Sequence, residues 1–215
     1  MWRYLPKLFF FALIVRPLVF LVIGLVIYHR ERLPRHGPCI IAANHNSHLD
    51  TMVLMSLFPL RDLPRVRPVA AADYFLANRW LAWFSLHVIG IVPIARGGSV
   101  DRDTLFRPCR EALARGDILI LFPEGTRGEP EKMGALKKGI FHLASGETPC
   151  PVVPIYLYGL GKALPKGEAL LVPFNIEVAL GAPLLMQDNA AHAIADLEKQ
   201  LHELAAEFHA RREED

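Results

Sequence analysis

The chain has 215 residues, 52% of them hydrophobic, and a formal net charge of +2. That length suits one main domain with a core of ordinary size, and the apolar fraction lies above the roughly 45–50% of an average soluble domain, which excludes a disordered chain and points to a membrane partner. Charge is uneven, +7 over residues 1–127 and −5 over residues 128–215, but no groove-reading motif or base-stacking platform goes with the basic half, so nucleic acid is set aside.

In chain order, the first element is Leu8 to Tyr28, 21 residues with only Arg16 charged. It is close to the roughly 20 residues that cross a bilayer. Arg16-Pro17 cuts it in the middle, because a charge is costly in lipid and proline breaks or kinks a helix. Two short helices dipping into one leaflet and a clean span both remain open. Residues 1–32 are therefore expected to be a hydrophobic membrane-anchoring helical segment, and residues 33–215 an α/β domain. Arg3, Lys7, Arg30, Arg32 and Arg35 flank the apolar run, which favours anionic lipid and places the domain on the cytoplasmic face. A secretory signal fits less well, since the first apolar stretch ends at Arg16 without a small-x-small cleavage site.

Strand-like runs follow near residues 39–43, 66–71, 89–94, 117–122, 152–157 and 174–180, with helical stretches near 50–58, 73–86, 101–115 and 138–145. This alternation predicts an α/β fold with a largely parallel central sheet flanked by helices. Trp80, Trp83 and Phe84 cluster; core is preferred for them over contact with the membrane interface. At the end, Ile194, Leu197, Leu201, Leu204 and Phe208 recur at helical spacing, with Asp188 or Asn189 as cap. The stripe is expected to pack on the sheet; a dimerisation seam is the alternative. Cys39, Cys109 and Cys150 are widely spaced and odd in number, which suits buried thiols in a reducing compartment better than disulfides. The nine histidines show no zinc spacing, and neither a metal nor a resident cofactor is expected.

Two polar clusters carry chemistry, each where an apolar run ends. The first is Asn44-His45-Asn46-Ser47-His48-Leu49-Asp50. On a continuous helix, positions five apart point about 140° from each other, so His45 and Asp50 need a turn between them in order to meet. Cys39–Ala43 has the look of a buried strand, and Ser47-x-x-Asp50 before Thr51–Met55 that of a capped helix start. Strand, turn, helix puts His45 at a strand's carboxyl end and lets Asp50 bend back to its imidazole, fixing the tautomer for a general base. Asp50 as a mere capping residue is the plainer alternative. His48 is a rival base, read as solvent-facing or packing. The second cluster, Phe122-Pro123-Glu124-Gly125-Thr126-Arg127, offers a carboxylate, a glycine and an arginine in one turn. An arginine grips phosphate bidentately and a glycine lets backbone approach a ligand.

The first cluster resembles the first signature block of the glycerolipid acyltransferases, the 1-acyl-sn-glycerol-3-phosphate acyltransferase family, and the second cluster resembles that family's third block. Gly90-Ile91-Val92-Pro93-Ile94-Ala95-Arg96 is similar to its second block and Val153-Pro154-Ile155 to its fourth. All four occur in the family's order within residues 36–182. The resemblance implies that His45 deprotonates an acceptor hydroxyl, oriented by Asp50, and that this hydroxyl attacks an acyl thioester with no acyl-enzyme. It also implies that Arg96, Glu124, Gly125, Thr126 and Arg127 bind the glycerol-phosphate part of the acceptor. Lys137 or Lys138 could add a phosphate contact, although an exposed helix start explains them equally well.

The implied partners are a membrane lipid surface, a lysolipid acceptor, and acyl-CoA or acyl carrier protein as co-substrate carrier. Lysophosphatidate is the first-choice acceptor, with other lysophospholipids and lyso-aminolipids as alternatives. Departures from the family pattern fall at Gly128, where Ser is usual, and at residues 71–80, which lack the usual lysine-initiated pattern. A thioesterase would need an activated nucleophile, and no G-x-S-x-G elbow occurs. A non-catalytic lipid-binding module would have no use for both His45 and Asp50.

Overall fold

The structure is a computed structural model that describes residues 2–47, 49–95, 101–126, 128, 133–163, 176–187 and 189–214. Among the described residues, seven strands form one sheet: β1 (Leu25–Tyr28), β2 (Cys39–Ala43), β3 (Val66–Ala71), β4 (Val92–Ile94), β5 (Ile118–Leu121), β6 (Val152–Tyr158) and β7 (Ile176–Leu180). Their order is β1-β7-β6-β2-β5-β3-β4, and every pairing is parallel except β6 with β7. The largely parallel α/β sheet expected from the alternation is present. Central strands β2 and β6 are buried along their whole length, which explains why they are continuous apolar runs and not alternating ones.

The helices are α1 (Leu5–Phe10), α2 (Leu49–Ser56), α3 (Ala72–Phe75), α4 (Arg79–Trp83), α5 (Arg102–Ala114), α6 (Gly139–Ala144), α7 (Leu160–Ala163) and α8 (Ala190–Glu214). α2, α5 and α6 match their expected spans to within two residues. The helix expected over 73–86 is broken at Leu76–Asn78, where the Asn78 side chain caps α4 by accepting from Trp80 N–H at 2.8 Å. The chain then continues in wide π-type turns through Phe84–Ile89 to Gly90, whose φ of +76° ends it, so the strand expected at 89–94 is only Val92–Ile94. In the run expected at 174–180, the first two residues lie outside the described residues. α8 buries Leu197, Leu201, Leu204 and Phe208, and Phe208 meets Tyr156 and Tyr158 of β6, so the stripe packs on the sheet. Asn189 caps it through His192 N–H at 3.0 Å; Asp188 lies outside the described residues.

The largest departure is at the N-terminus. Leu8–Tyr28 is not one apolar helix. α1 passes into π-type turns over Phe11–Val15 and Leu18–Ile23, Gly24 takes a φ of +71°, and Leu25–Tyr28 joins the sheet as an edge strand parallel to β7. Among the described residues, no helix is long and apolar enough to cross a membrane. Lys7, Phe11, Val15 and Val19 recur every four residues, and all four are buried against the domain.

Lys7, expected to meet lipid headgroups, instead donates from Nζ to the Val66 carbonyl at 2.8 Å. Burial first, then the Arg67 guanidinium, pushes its pKa down to about 7. Arg16 donates to the Phe58 carbonyl, and Arg32 to that of Leu180 at 2.9 Å. The opposite side of the segment exposes Trp2, Phe9, Leu13, Ile14, Phe20 and Leu21. Trp80 and Trp83, expected in the core, are 70% and 51% exposed; only Phe84 of that cluster turns inward, edge-on to Phe10 at 5.2 Å. The three cysteines are free and buried, and burial pushes their thiols up to about 12, 12 and 11.

Candidate active site

The two polar clusters meet because β2 and β5 are parallel neighbours. Ala42 lies opposite Leu121, so continuing each chain by three residues brings His45 beside Glu124 at the carboxyl edge of the sheet. Nothing in either local sequence carries this pairing; it follows from the strand order.

The turn between β2 and α2 is held by side chains that replace the ladder after the strand ends. Asn44 accepts from Leu157 N–H at 2.7 Å and donates to Leu157 C=O at 2.9 Å, extending the β2–β6 pairing by one more residue. Asn46 donates to the same carbonyl at 3.2 Å. Asp50, fully buried in the first turn of α2, gathers three donors on Oδ2: His45 Nδ1 at 2.8 Å, Asn46 N–H at 2.6 Å and Ser47 N–H at 2.8 Å. Asp50 is thus both cap and imidazole partner. The plainer reading and the chemical one describe the same carboxylate. Its Oδ1 is buried with no hydrogen-bond partner among the described residues.

With Nδ1 donating to a carboxylate, Nε2 is the imidazole nitrogen left to exchange a proton. Phe122 lies nearly parallel over the ring, with centroids 4.0 Å apart and planes at 16°. The ring is therefore fixed along its edge by Asp50 and across its face by Phe122. Phe122 was quoted in the motif, yet neither its identity nor its spacing signalled that contact.

His45 lines a cavity of about 640 Å³ whose walls are mainly apolar, including Phe75, Leu81, Phe84, Ile89 and Ile94. Gly125, Thr126 and Lys137 share that wall. Gly125 has a φ of +73°, and a Cβ there would collide with the Lys137 ammonium, so glycine is required both for the turn and to let the lysine lie across it. Lys137 N–H donates to Pro123 C=O at 2.9 Å, which closes the loop.

Glu124, expected on the acceptor, is held by two backbone amides. It is buried, Oε1 accepts from His45 N–H at 2.8 Å, and Oε2 accepts from Gly134 N–H at 2.7 Å. A carboxylate with both oxygens taken by backbone donors is poorly suited to holding a phosphate. Arg96, Arg127 and His48 lie outside the described residues. Among the described residues no three His, Cys, Asp or Glu side chains gather as a metal site would require.

Comparison with known proteins gives a consistent picture. The sequence profile described as Acyltransferase matches residues 25–158. The chain is 32% identical over 174 residues to the chloroplastic 1-acyl-sn-glycerol-3-phosphate acyltransferase of Brassica napus, covering 77% of this chain and 48% of that protein. It is 29% identical over 133 residues to the human 1-acyl-sn-glycerol-3-phosphate acyltransferase alpha, covering 59% of this chain and 43% of that one. It thus spans about half the length of the curated relatives it matches. A crystal structure of the 1-acyl-sn-glycerophosphate acyltransferase from Thermotoga maritima shares the fold, with a TM-score of 0.70 at 21% identity, over 89% of this chain and 75% of that one.

Proposed function

The chain belongs to the acyltransferase family, and from that premise we propose that it is an O-acyltransferase that moves a fatty acyl group from an acyl thioester to the free hydroxyl of a lysolipid at a membrane surface. The first-choice acceptor is 1-acyl-glycerol-3-phosphate, the substrate after which the relatives are named, which would make the product phosphatidic acid and the setting phospholipid biosynthesis. The observation that carries the reading is the His45–Asp50 pair at 2.8 Å on the wall of an apolar cavity.

In this mechanism His45 Nε2 takes the proton of the acceptor hydroxyl while Asp50 stabilises the imidazolium and the Phe122 face adds to that stabilisation. The freed oxygen attacks the thioester carbonyl, the C–S bond breaks, and the thiolate leaves with the carrier, taking up the proton His45 holds. No resident cofactor is invoked; acyl-CoA or acyl carrier protein enters as co-substrate. Arg96, Arg127 and Lys137 are assigned to the acceptor phosphate, with Gly125 and Thr126 beside it. The apolar cavity suits an acyl chain, whose burial is favourable by about 0.8 kcal/mol per CH₂.

Membrane association is assigned to the outward side of residues 2–23 together with Trp80 and Trp83, because α1 and the 84–89 turn are packed together through Phe10 and Phe84 and expose apolar side chains on their outer faces. The cytoplasmic face is assigned from the exposed Arg30 and Arg35 beside that segment.

The test is to incubate the purified protein and its His45→Ala variant with palmitoyl-CoA or palmitoyl-acyl carrier protein and a panel of lysolipids, following thiol release and new lipid together. Acceptor-dependent release that needs His45 is expected. Release that is independent of acceptor would identify a thioester hydrolase. Arg96→Ala and Arg127→Ala should raise acceptor KM more than they lower saturated turnover; unchanged KM in both would remove the phosphate assignment.

A further inference from the structure

We propose that Glu124 is a positioning residue that fastens the lysine-bearing loop to the catalytic histidine, and not a ligand of the acceptor; the proposal rests on the acyltransferase reading above. Its two carboxylate oxygens bridge two backbone amides that the sequence keeps far apart. Oε1 receives His45 N–H at 2.8 Å and Oε2 receives Gly134 N–H at 2.7 Å. His45 lies at the end of β2, and Gly134 sits three residues before Lys137, in the loop that closes from Lys137 N–H onto Pro123 C=O.

A second strap runs beside the first, since Gly128 N–H donates to His45 C=O at 3.3 Å. The main chain of His45 is therefore gripped on both its donor and its acceptor by the segment that follows β5. The site is shaped for this bridge. Glu124 is only 6% exposed, and a Cβ on Gly134 would stand 3.2 Å from Oε2, so any larger residue there requires the carboxylate to shift by a few tenths of an ångström. Charge argues the same way. An anionic headgroup is attracted to Lys137 and repelled by a carboxylate, whereas a carboxylate that has taken up two N–H donors is satisfied where it is.

The consequence is coupling. The loop that offers Lys137 to an anion and the turn that presents His45 share one carboxylate, so a disturbance at Gly134 should be felt at His45. Glu124→Gln breaks the bridge with little change in shape, because an amide has one carbonyl to accept with and its NH₂ must face the other N–H donor. Gly134→Pro deletes the remote donor and sets a Cβ against Oε2, so it opens the bridge from the Gly134 end while keeping the Glu124 and His45 side chains.

The experiment compares wild type, Glu124→Gln and Gly134→Pro in two measurements. Steady-state kinetics use palmitoyl-CoA and oleoyl-lysophosphatidate in detergent micelles, and amide hydrogen exchange follows residues 44–47. Turnover in Glu124→Gln should fall roughly 10- to 100-fold with acceptor KM within about threefold, as expected for one charge-assisted bond lost. Gly134→Pro should lower turnover several-fold, on the order of 3- to 10-fold, and speed exchange at residues 44–47.

A tenfold or larger rise in acceptor KM with turnover kept in Glu124→Gln would return the residue to the acceptor site and overturn the proposal. Unchanged exchange at residues 44–47 in Gly134→Pro would overturn it too. The exchange arm needs no turnover, so it tests the bridge even if wild type transfers no acyl group to lysophosphatidate, a result that would instead sink the proposed reaction. If Glu124→Gln fails to fold, Gly134→Pro decides alone.

Discussion

The His45–Asp50 turn and the N-terminal helical segment both place charged side chains in apolar surroundings, and they solve the problem in opposite ways. At the turn, one buried carboxylate collects three donors supplied within five residues of sequence. In the N-terminal segment, Lys7 and Arg16 find carbonyls at Val66 and Phe58, 59 and 42 residues away. The first arrangement is local and orients an imidazole. The second is long-range and holds a helix down on a domain. A charge inside an apolar run therefore need not interrupt a membrane segment; it can be the point at which the segment is attached to protein.

The sharpest way to break the comparison is at the turn itself. His45→Ala should cost acceptor-dependent thiol release roughly 10³-fold, within the 10²–10⁴ that general-base catalysis supplies, while the protein stays folded with a melting temperature lowered only by the loss of one of the three donors on Asp50. Asp50→Asn should lose roughly 10²- to 10⁴-fold in turnover through the wrong tautomer. It should also lose stability, by about 1–3 kcal/mol in urea denaturation, because the Asn46 and Ser47 amides lose their charged acceptor.

In the N-terminal segment the expected effects are on stability and not on chemistry. Phe11→Ala, at a fully buried ring, should cost about 3–5 kcal/mol in the same denaturation experiment. Lys7 gives the segment a pH signature. Its amine has a pKa of about 7 when folded and 10.5 as its ordinary value, so between these pH values the unfolded chain holds the extra proton and stability must rise with pH. Urea midpoints from pH 7 to pH 10 should climb in wild type and climb less in Lys7→Met; parallel curves would mean that the amine is not buried as described. Smallest of all, Leu13→Ser on the outward side should weaken partitioning to anionic vesicles and shift stability by no more than about 0.5 kcal/mol.

What the sequence revealed follows the same division. The β2–turn–α2 unit was legible because an apolar run, a serine, an aspartate three residues on and a second apolar run are all near neighbours in the chain. The parallel sheet was legible for the same reason, from alternating runs. β1 was not, since Leu25–Tyr28 continues the apolarity of the helix before it and periodicity cannot separate a short buried strand from the end of a helix; Gly24 was the one local sign of a break. Trp80 and Trp83 were misjudged because aromatic content alone does not say which side of α4 faces the protein. Glu124 was placed on the acceptor because its neighbours in sequence, Gly125 to Arg127, suggest a ligand site, whereas its hydrogen bond to His45 comes into view only through the β2–β5 register. Local patterns announced the chemistry; the attachments depended on strand order.

Gly24 also has a mechanical meaning. The segment before it holds the outward apolar side chains, and the four residues after it are the strand that hydrogen-bonds to β7. A pull on that outer face is shared between the Lys7 and Arg16 attachments and the β1–β7 pairing that Gly24 leads into. Any load that reaches β1 enters the sheet at its β7 edge, on the far side of β6 from the β2–β5 pair that positions His45 and Glu124.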